Sequence, residues 1–289
     1  RLFAYSTKRV YVGPQQMIPF DINVHLPCRS KNLSNRLSED LSMDGMKLKG
    51  CFEHHREDIL SNANGANFML FNQSLDVGEV EAFTNRVRQD IPDAKFTLLV
   101  NPDPRIKLSN LSALKTAGID AIKFHCYIQK ISRDLFPSAV ALALRAEHLG
   151  MPVFLDASFG TTKMYHYDNL RLAAEILDQV TSVPVVILHS GGARVIEAML
   201  LAESAPNAFL DMSFSVFYYI NSRIEQDLSF AYKRIGPERV LYGSDFPYVS
   251  FQQSIQAANI FFERNHFSEA ERHSILLDSA GKVFSWNGA

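Results

Sequence analysis

Short, nearly unbroken apolar runs recur along the chain, each followed by a polar stretch and then by apolar residues at helical spacing. Eight of them have strand length: "FDINVHLP" (20–27), "NFMLFN" (67–72), "KFTLLVNP" (95–102), "DAIKFHCY" (120–127), "PVFLDAS" (152–158), "VPVVILHSG" (183–191), "AFLDMSF" (208–214) and "VLYGSDF" (240–246). Between them lie amphipathic patterns such as "VGEVEAFTNRVRQDI", "SAVALALRAEHLG", "NLRLAAEILDQV", "RVIEAMLLAESAP" and "SRIEQDLSFAYKRIG", several closing on Gly or Pro as helix stops do. Continuous apolar strands separated by helices imply a parallel sheet covered on both faces. Eight such units predict an α/β fold of the (β/α)8 TIM-barrel type rather than an open doubly wound sheet. No Pro-, Gly- or Ser-rich linker divides the chain, so residues 1–289 are expected to form one domain.

The pattern is weakest over 29–49, "RSKNLSNRLSEDLSMDGMKLK", which is expected to be a loop on the rim where the strands end, either a lid or an ordinary solvated surface. The tail "SEAERHSILLDSAGKVFSW" reads as a closing helix with Trp286 packed. Composition adds exclusions. The 289 residues are 47% hydrophobic and 21% charged with a net charge of -2, which gives no basic field for a nucleic acid. No apolar run reaches the ~18 residues of a membrane span. Cys28, Cys51 and Cys126 are too few and too scattered for a disulfide framework and form no CxxC pair, so a reducing, cytoplasmic setting is the simpler expectation. The opening "RLFAYSTKRVYVG" has no long apolar core or cleavage site of a secretory leader, and with no initial Met it leaves targeting open.

Barrel active sites sit at the carboxyl ends of the strands, so polar side chains that interrupt apolar strands there are the candidates. They are Asn23 and His25 on strand 1, Lys123 and His125 on strand 4, Asp156 on strand 5, His189 on strand 6, Asp211 on strand 7 and Asp245 on strand 8. Residues two apart on a strand share a face, which would align Asp21 with Asn23 and His25, and Lys123 with His125. One such residue is most simply a satisfied structural group; seven or eight at equivalent ends converge on one place. Adjacent His54 and His55 in "FEHHRED" point apart on a helix and read as a solvated face, while His148, His266 and His273 read as surface positions. The loops "SFGTTKMYHYDN", with Lys163, and "FSVFYYINSR" could add a substrate contact and an aromatic wall.

"FDINVHLP", "MPVFLDAS", "VPVVILHSGG" and "RVLYGSDFPY" resemble, in order and spacing, signature segments of the amidohydrolase superfamily, in its amidohydrolase-2 or aminocarboxymuconate-semialdehyde-decarboxylase-like branch. "ILHSGG" and "LYGSDFP" are the most specific parts. The resemblance implies a His-x-His pair on strand 1, a third histidine ligand on strand 5, a water-orienting histidine on strand 6 and a metal- or proton-handling aspartate on strand 8. His25, His189 and Asp245 match. Asn23 stands in place of the first histidine of the pair, and Asp156 in place of the strand 5 histidine.

The implied ligand set is then His25, Asp156 and Asp245, with Asn23 as a further oxygen donor. It is oxygen-rich, weaker for Zn and shifted toward Mn or Mg. A metal-free site is the alternative, with Asp245 as general base on water, His189, His25 and Lys123 stabilising the oxyanion, and Asp156 paired with His25 as an oriented acid. In that reading neighbouring carboxylates raise each other's proton affinity. Catalytic roles fall to Asp245 and His189, and substrate binding to Lys123, His125, Asn23 and Lys163. Lys123 and His125 favour an anionic small molecule, unless the lysine simply bonds a neighbouring strand's aspartate. The expected reaction is hydrolysis of a small carboxylated lactone, ester or amide; the alternatives are non-oxidative decarboxylation and a non-catalytic binding or regulatory role. A homodimer is compatible with such barrels.

Overall fold

The computed structural model describes residues 17–26, 45–71, 76–105, 110–158 and 162–286. All eight expected strands form: β1 (Phe20–His25), β2 (Gly65–Leu70), β3 (Lys95–Leu99), β4 (Ala121–Phe124), β5 (Val153–Asp156), β6 (Val185–Leu188), β7 (Ala208–Asp211) and β8 (Val240–Leu241). They pair in parallel in the order β1 to β8. The sheet then curls round on itself. Ile22 N–H donates to the Tyr242 carbonyl (3.0 Å), Asp245 N–H to that of Asn23 (3.0 Å) and His25 N–H to that of Phe246 (2.7 Å), giving a single-domain (β/α)8 barrel.

The period of two along each strand sorts the core into two layers. Outward residues such as Phe68, Phe96, Ile122, Leu155, Val185, Ile187 and Leu210 pack beneath the helices. Inward residues Met69, Leu99, Ala121, Phe154, Val186, Phe209 and Leu241 fill the barrel itself. Each fully buried phenylalanine there contributes roughly 1.5–3 kcal/mol. The last helix, Ser279–Phe284, adds Ala280 and Val283 to this interior cluster. Phe284 lies 6.4 Å from Phe20 and 6.2 Å from Phe154 between ring centroids, and Trp286 lies 5.8 Å from Phe209. These aromatic rings close the end where the strands begin. The opposite end is left to the polar side chains one step further along the same inward rows: Lys123 follows Ala121, Asp156 follows Phe154 and Asp211 follows Phe209.

Three expectations change. First, β1 carries a bulge: its register against β2 slips between Asp21 and Val24. The extra residue breaks the period of two, so Asp21 pairs with outward Ala66 and does not share the face of Asn23 and His25. Asn67 repairs the ladder there, its amide donating to the Ile22 carbonyl at 2.9 Å. Second, the segment 29–49 is not all loop, because a helix runs from Gly45 to Asn62; residues 29–44 lie outside the described residues. Third, Cys51 is disulfide-bonded while Cys126 is a free, buried thiol, a pairing that cysteine spacing along the chain does not announce. Among the described residues no helix is long and apolar enough to cross a membrane. His54, His148, His266 and His273 are exposed as expected, whereas His55 is partly covered and sets its ring edge on Phe246 at 5.0 Å.

Candidate active site

Three strand ends hold non-glycine residues in the left-handed backbone region: His189 (φ 58°) after β6, Phe214 (φ 57°) after β7 and Asp245 (φ 61°) after β8. Such conformations cost of order 1–3 kcal/mol each and persist only where the surroundings impose them. Here the imposing groups are visible. His189 N–H donates to Asp211 Oδ2 (3.1 Å), and the His189 carbonyl accepts from Ser215 Oγ (2.6 Å). Ser190 Oγ donates to the Asp211 carbonyl at 2.6 Å. The glycine of "YGSDFP" also has a packing reason. A Cβ on Gly243 would lie 2.8 Å from Asp211 Oδ1, 2.9 Å from Ser213 Cβ and 3.0 Å from Asn23 Cβ.

On the β4–β6 side of the rim, basic side chains converge on one carboxylate. Asp156 Oδ2 lies 3.3 Å from His125 Nε2, 3.3 Å from His189 Nε2 and 3.8 Å from Lys123 Nζ. Its other oxygen accepts from Ser158 N–H (3.1 Å) and Oγ (2.6 Å). Burial alone would raise the Asp156 proton affinity, but the surrounding His125, His189 and Lys123 hold it well below the usual carboxylate range. For His189, burial opposes the charge and the Asp156 carboxylate wins, lifting its pKa to about 9, so the ring is an imidazolium at neutral pH. For His125, burial wins, and with Lys123 and His189 nearby its pKa drops to about 3, leaving a neutral ring.

On the β7–β8–β1 side, a carboxylate is held by neutral or weakly basic donors. Asp245 Oδ1 accepts from Asn23 Nδ2 at 3.1 Å and lies 3.4 Å from His25 Nε2. Burial raises its proton affinity, yet the His25 hydrogen bond and the charges of His189, His25 and Lys123 lower it overall. Asn23 gives its second N–H to Ser213 Oγ (2.9 Å), and Ser213 in turn donates to Asp211 Oδ2. His189 Nδ1 sits 3.1 Å from the Ser213 carbonyl and 3.2 Å from its Oγ, so His189 belongs to both sides. Aromatic rings wall the imidazoles: Phe71 and Tyr248 beside His25 (5.0 and 5.2 Å), Tyr127 beside His125 (4.3 Å) and Phe214 near His189 (6.4 Å).

Seven of the eight expected site residues thus gather at one end of the barrel. The eighth, Lys163, lies on the helix Thr162–His166, and its side chain falls outside the described residues. Three details of the expectation are corrected. His25 pairs with Asp245 and not with Asp156, because Asp156 is engaged by His125 and His189. The two carboxylates do not raise each other's proton affinity, since the basic groups between them lower both. Lys123 and His125 do not jointly supply two charges to an anion: Lys123 leans on Asp156, and His125 is neutral.

The metal reading meets the same geometry. Among the described residues no three His, Cys, Asp or Glu side chains are grouped to hold an ion. Asp156 already receives two imidazoles and an ammonium, and the His189 imidazolium beside it would repel a cation. Asn23 presents N–H donors, not its oxygen, to Asp245. His25 and Asp245 alone make a two-donor fragment, which does not fit a resident divalent ion.

Asp211 is recognisable from sequence only as a strand-end polar residue, and Ser213, Phe71, Tyr127 and Tyr248 are not singled out there, whereas Phe214 belongs to the "FSVFYYINSR" stretch expected to supply an aromatic wall and does lie beside His189. A local signal for two of them exists. Asp156-x-Ser158 and Asp211-x-Ser213 repeat one turn, in which the aspartate Oδ1 accepts the N–H two residues on (3.1 and 2.9 Å).

A family model described as amidohydrolase matches residues 66–286, a span that begins after β1 and includes β4 to β8. No curated protein matches the chain by sequence. Among solved structures, a probable 2-pyrone-4,6-dicarboxylic acid hydrolase from Acinetobacter baumannii is similar with a TM-score of 0.62 at 17% identity, covering 93% of this chain and 100% of that one. A 5-carboxyvanillate decarboxylase from Sphingomonas paucimobilis gives 0.61 at 10% identity, covering 93% and 99%. A 2,6-dihydroxybenzoate decarboxylase from Rhizobium gives 0.57 at 13% identity, covering 94% and 100%. At these identities the likeness speaks for the barrel.

Proposed function

The chain belongs to the amidohydrolase family, in its amidohydrolase-2 branch, and on that premise we propose that it hydrolyses a small carboxylated lactone, ester or amide with water activated at the open end of the barrel. One observation carries the reading. An ionised carboxylate, Asp245, and an imidazolium, His189, sit in one buried, aromatic-walled pocket with their charges acting on each other.

Asp245 accepts a proton from water as the water oxygen bonds to the acyl carbon, and the carbonyl becomes an oxyanion. His189, with Lys123 behind it, stabilises that oxyanion. Collapse of the tetrahedral species breaks the bond to the leaving oxygen or nitrogen, which takes the proton from Asp245. The sum is substrate plus water giving an acid and an alcohol or amine. A carboxylate held below its usual range is a weak base, so electrostatic stabilisation by the cations must supply more of the rate than proton abstraction does. The positive charge of His189 and Lys123 at this end of the barrel supports an anionic small molecule as substrate, with Lys163 as the further partner expected for its carboxylate.

A second reading, non-oxidative decarboxylation, is favoured by one feature: the protonated His189 is an acid able to deliver a proton to the carbon that loses carbon dioxide. Incubation with a panel of lactones, esters, amides and aromatic acids, followed by mass analysis, separates the readings. Gain of water is expected; loss of carbon dioxide would replace hydrolysis by decarboxylation. No turnover at all would overturn both and leave a binding role, for which ligand affinity unchanged in Asp245→Asn would be the further sign.

A further inference from the structure

The residue that stands where the strand 1 pattern asks for a ligand is not idle. Asn23 is fully buried, and its Nδ2 spends both hydrogens: one on Asp245 Oδ1 at 3.1 Å, one on Ser213 Oγ at 2.9 Å. The orientation of the amide follows from its partners. A carboxylate oxygen only accepts, and Ser213 has already given its hydrogen to Asp211 Oδ2, so both neighbours require a donor. Asn23 Oδ1 correspondingly has no hydrogen-bond partner. The main chain repeats the tie, since Asp245 N–H donates to the Asn23 carbonyl at 3.0 Å and Asn23 N–H to Asp21 Oδ1 at 3.1 Å. Ser213 then touches His189 Nδ1 at 3.2 Å. One amide therefore spans from the strand 8 carboxylate to the serine that orients the strand 6 imidazole.

We propose that Asn23 is a positioning residue: in place of a metal ligand, its two N–H groups fix the carboxylate of Asp245 and, through Ser213, the ring of His189 relative to each other. A histidine could not do this, because a neutral imidazole carries one N–H and could satisfy only one of the two acceptors. The inference rests on the reading of Asp245 and His189 as the working pair. Both N–H groups of Asn23 are committed to Asp245 and Ser213 rather than to the substrate contact expected of it, so in this proposal its loss acts on the geometry of the step and not on binding.

The test uses Asn23→Ala, Ser213→Ala and the double variant, with and without substrate. Misplacing a catalytic group by about 1 Å can cost about 100-fold in rate, and that is the expected fall in kcat for Asn23→Ala with KM within about threefold. Because both residues act as one unit, the double variant should fall no more than about threefold below the worse single variant. An unchanged kcat, a raised KM at constant kcat, or multiplying losses would each overturn the proposal. Crystal structures of the variants without substrate give the independent readout: the Asp245 carboxylate turned and the His189 ring moved by about 0.5 Å or more is expected, and unmoved groups would overturn the positioning role whatever the reaction. If the parent turns over nothing on the panel, the hydrolytic reading fails while these structures still decide on Asn23. If Asn23→Ala does not fold, Ser213→Ala, which breaks the same link from its other end, decides instead.

Discussion

The two sides of the rim hold one carboxylate each and use it oppositely. Asp156 is surrounded by Lys123, His125, His189 and the Ser158 turn, so both of its oxygens face donors of the protein. Among the described residues, Asp245 is gripped at one oxygen only, by Asn23 and His25. Two buried aspartates at equivalent strand ends thus become a counter-ion and, in the proposed reaction, a reagent, and the difference lies in how many donors their neighbours aim at them. Roles in such a site are assigned by the surroundings, since both side chains are chemically identical.

The comparison breaks first at Asp156. Asp156→Asn leaves His189 and Lys123 without their buried counter-charge, and such unpaired charges cost about 3–5 kcal/mol; a fall of that size in unfolding free energy by denaturant titration is expected. Asp245→Asn should do the reverse, keeping stability within about 1 kcal/mol while lowering kcat/KM by roughly 100- to 10,000-fold, the span attributed to general base catalysis. Equal loss of stability in both variants would erase the distinction between counter-ion and reagent. The next effect is pH. The folded pKa of His189 is raised from 6.5 to about 9, so its contribution to stability is fully present below 6.5 and is lost as pH rises through about 9. Activity that needs the imidazolium should fall over the same basic limb, while the acid limb lies below the usual carboxylate range because Asp245 is lowered. A pH–rate profile with a basic limb near 6.5 would show that Asp156 does not hold the charge on His189. The smallest effect concerns packing on the Asp245 side: Gly243→Ala places a methyl among Asp211, Ser213 and Asn23 and should cost about 1–3 kcal/mol in thermal melts, with nothing comparable expected for Gly50→Ala, whose added methyl meets nothing within 4 Å among the described residues.

Much of this was legible in the chain. All eight strands and five long helices could be read because parallel strands buried on both faces are continuous apolar runs, and covering helices keep a 3.6-residue period. The polar positions of the rim were legible for the same reason, each being an interruption of such a run. What could not be read is pairing. Nothing in "FLDAS" says that Asp156 faces His189 and His125 and not His25, because that depends on the stagger of three strands. Nothing in "FDINVH" marks the bulge that turns Asp21 out of the row of Asn23 and His25, since a one-residue slip leaves no trace in residue type. The Asp-x-Ser turns of 156–158 and 211–213 were visible in principle, and with them Ser213.

The hydrogen bond from Asn23 to Asp245 joins residues 222 positions apart, and the one from Asn23 to Ser213 joins residues 190 apart. Contacts of such long range form late in folding, because the loop between them must close before they contribute. The Asp245 carboxylate therefore acquires its setting only when the first and last strands meet. On the ribosome no partial chain lacking β8 can hold the site, and in refolding the helical signal should return before turnover does, which makes enzyme activity a clock for the closing of the barrel.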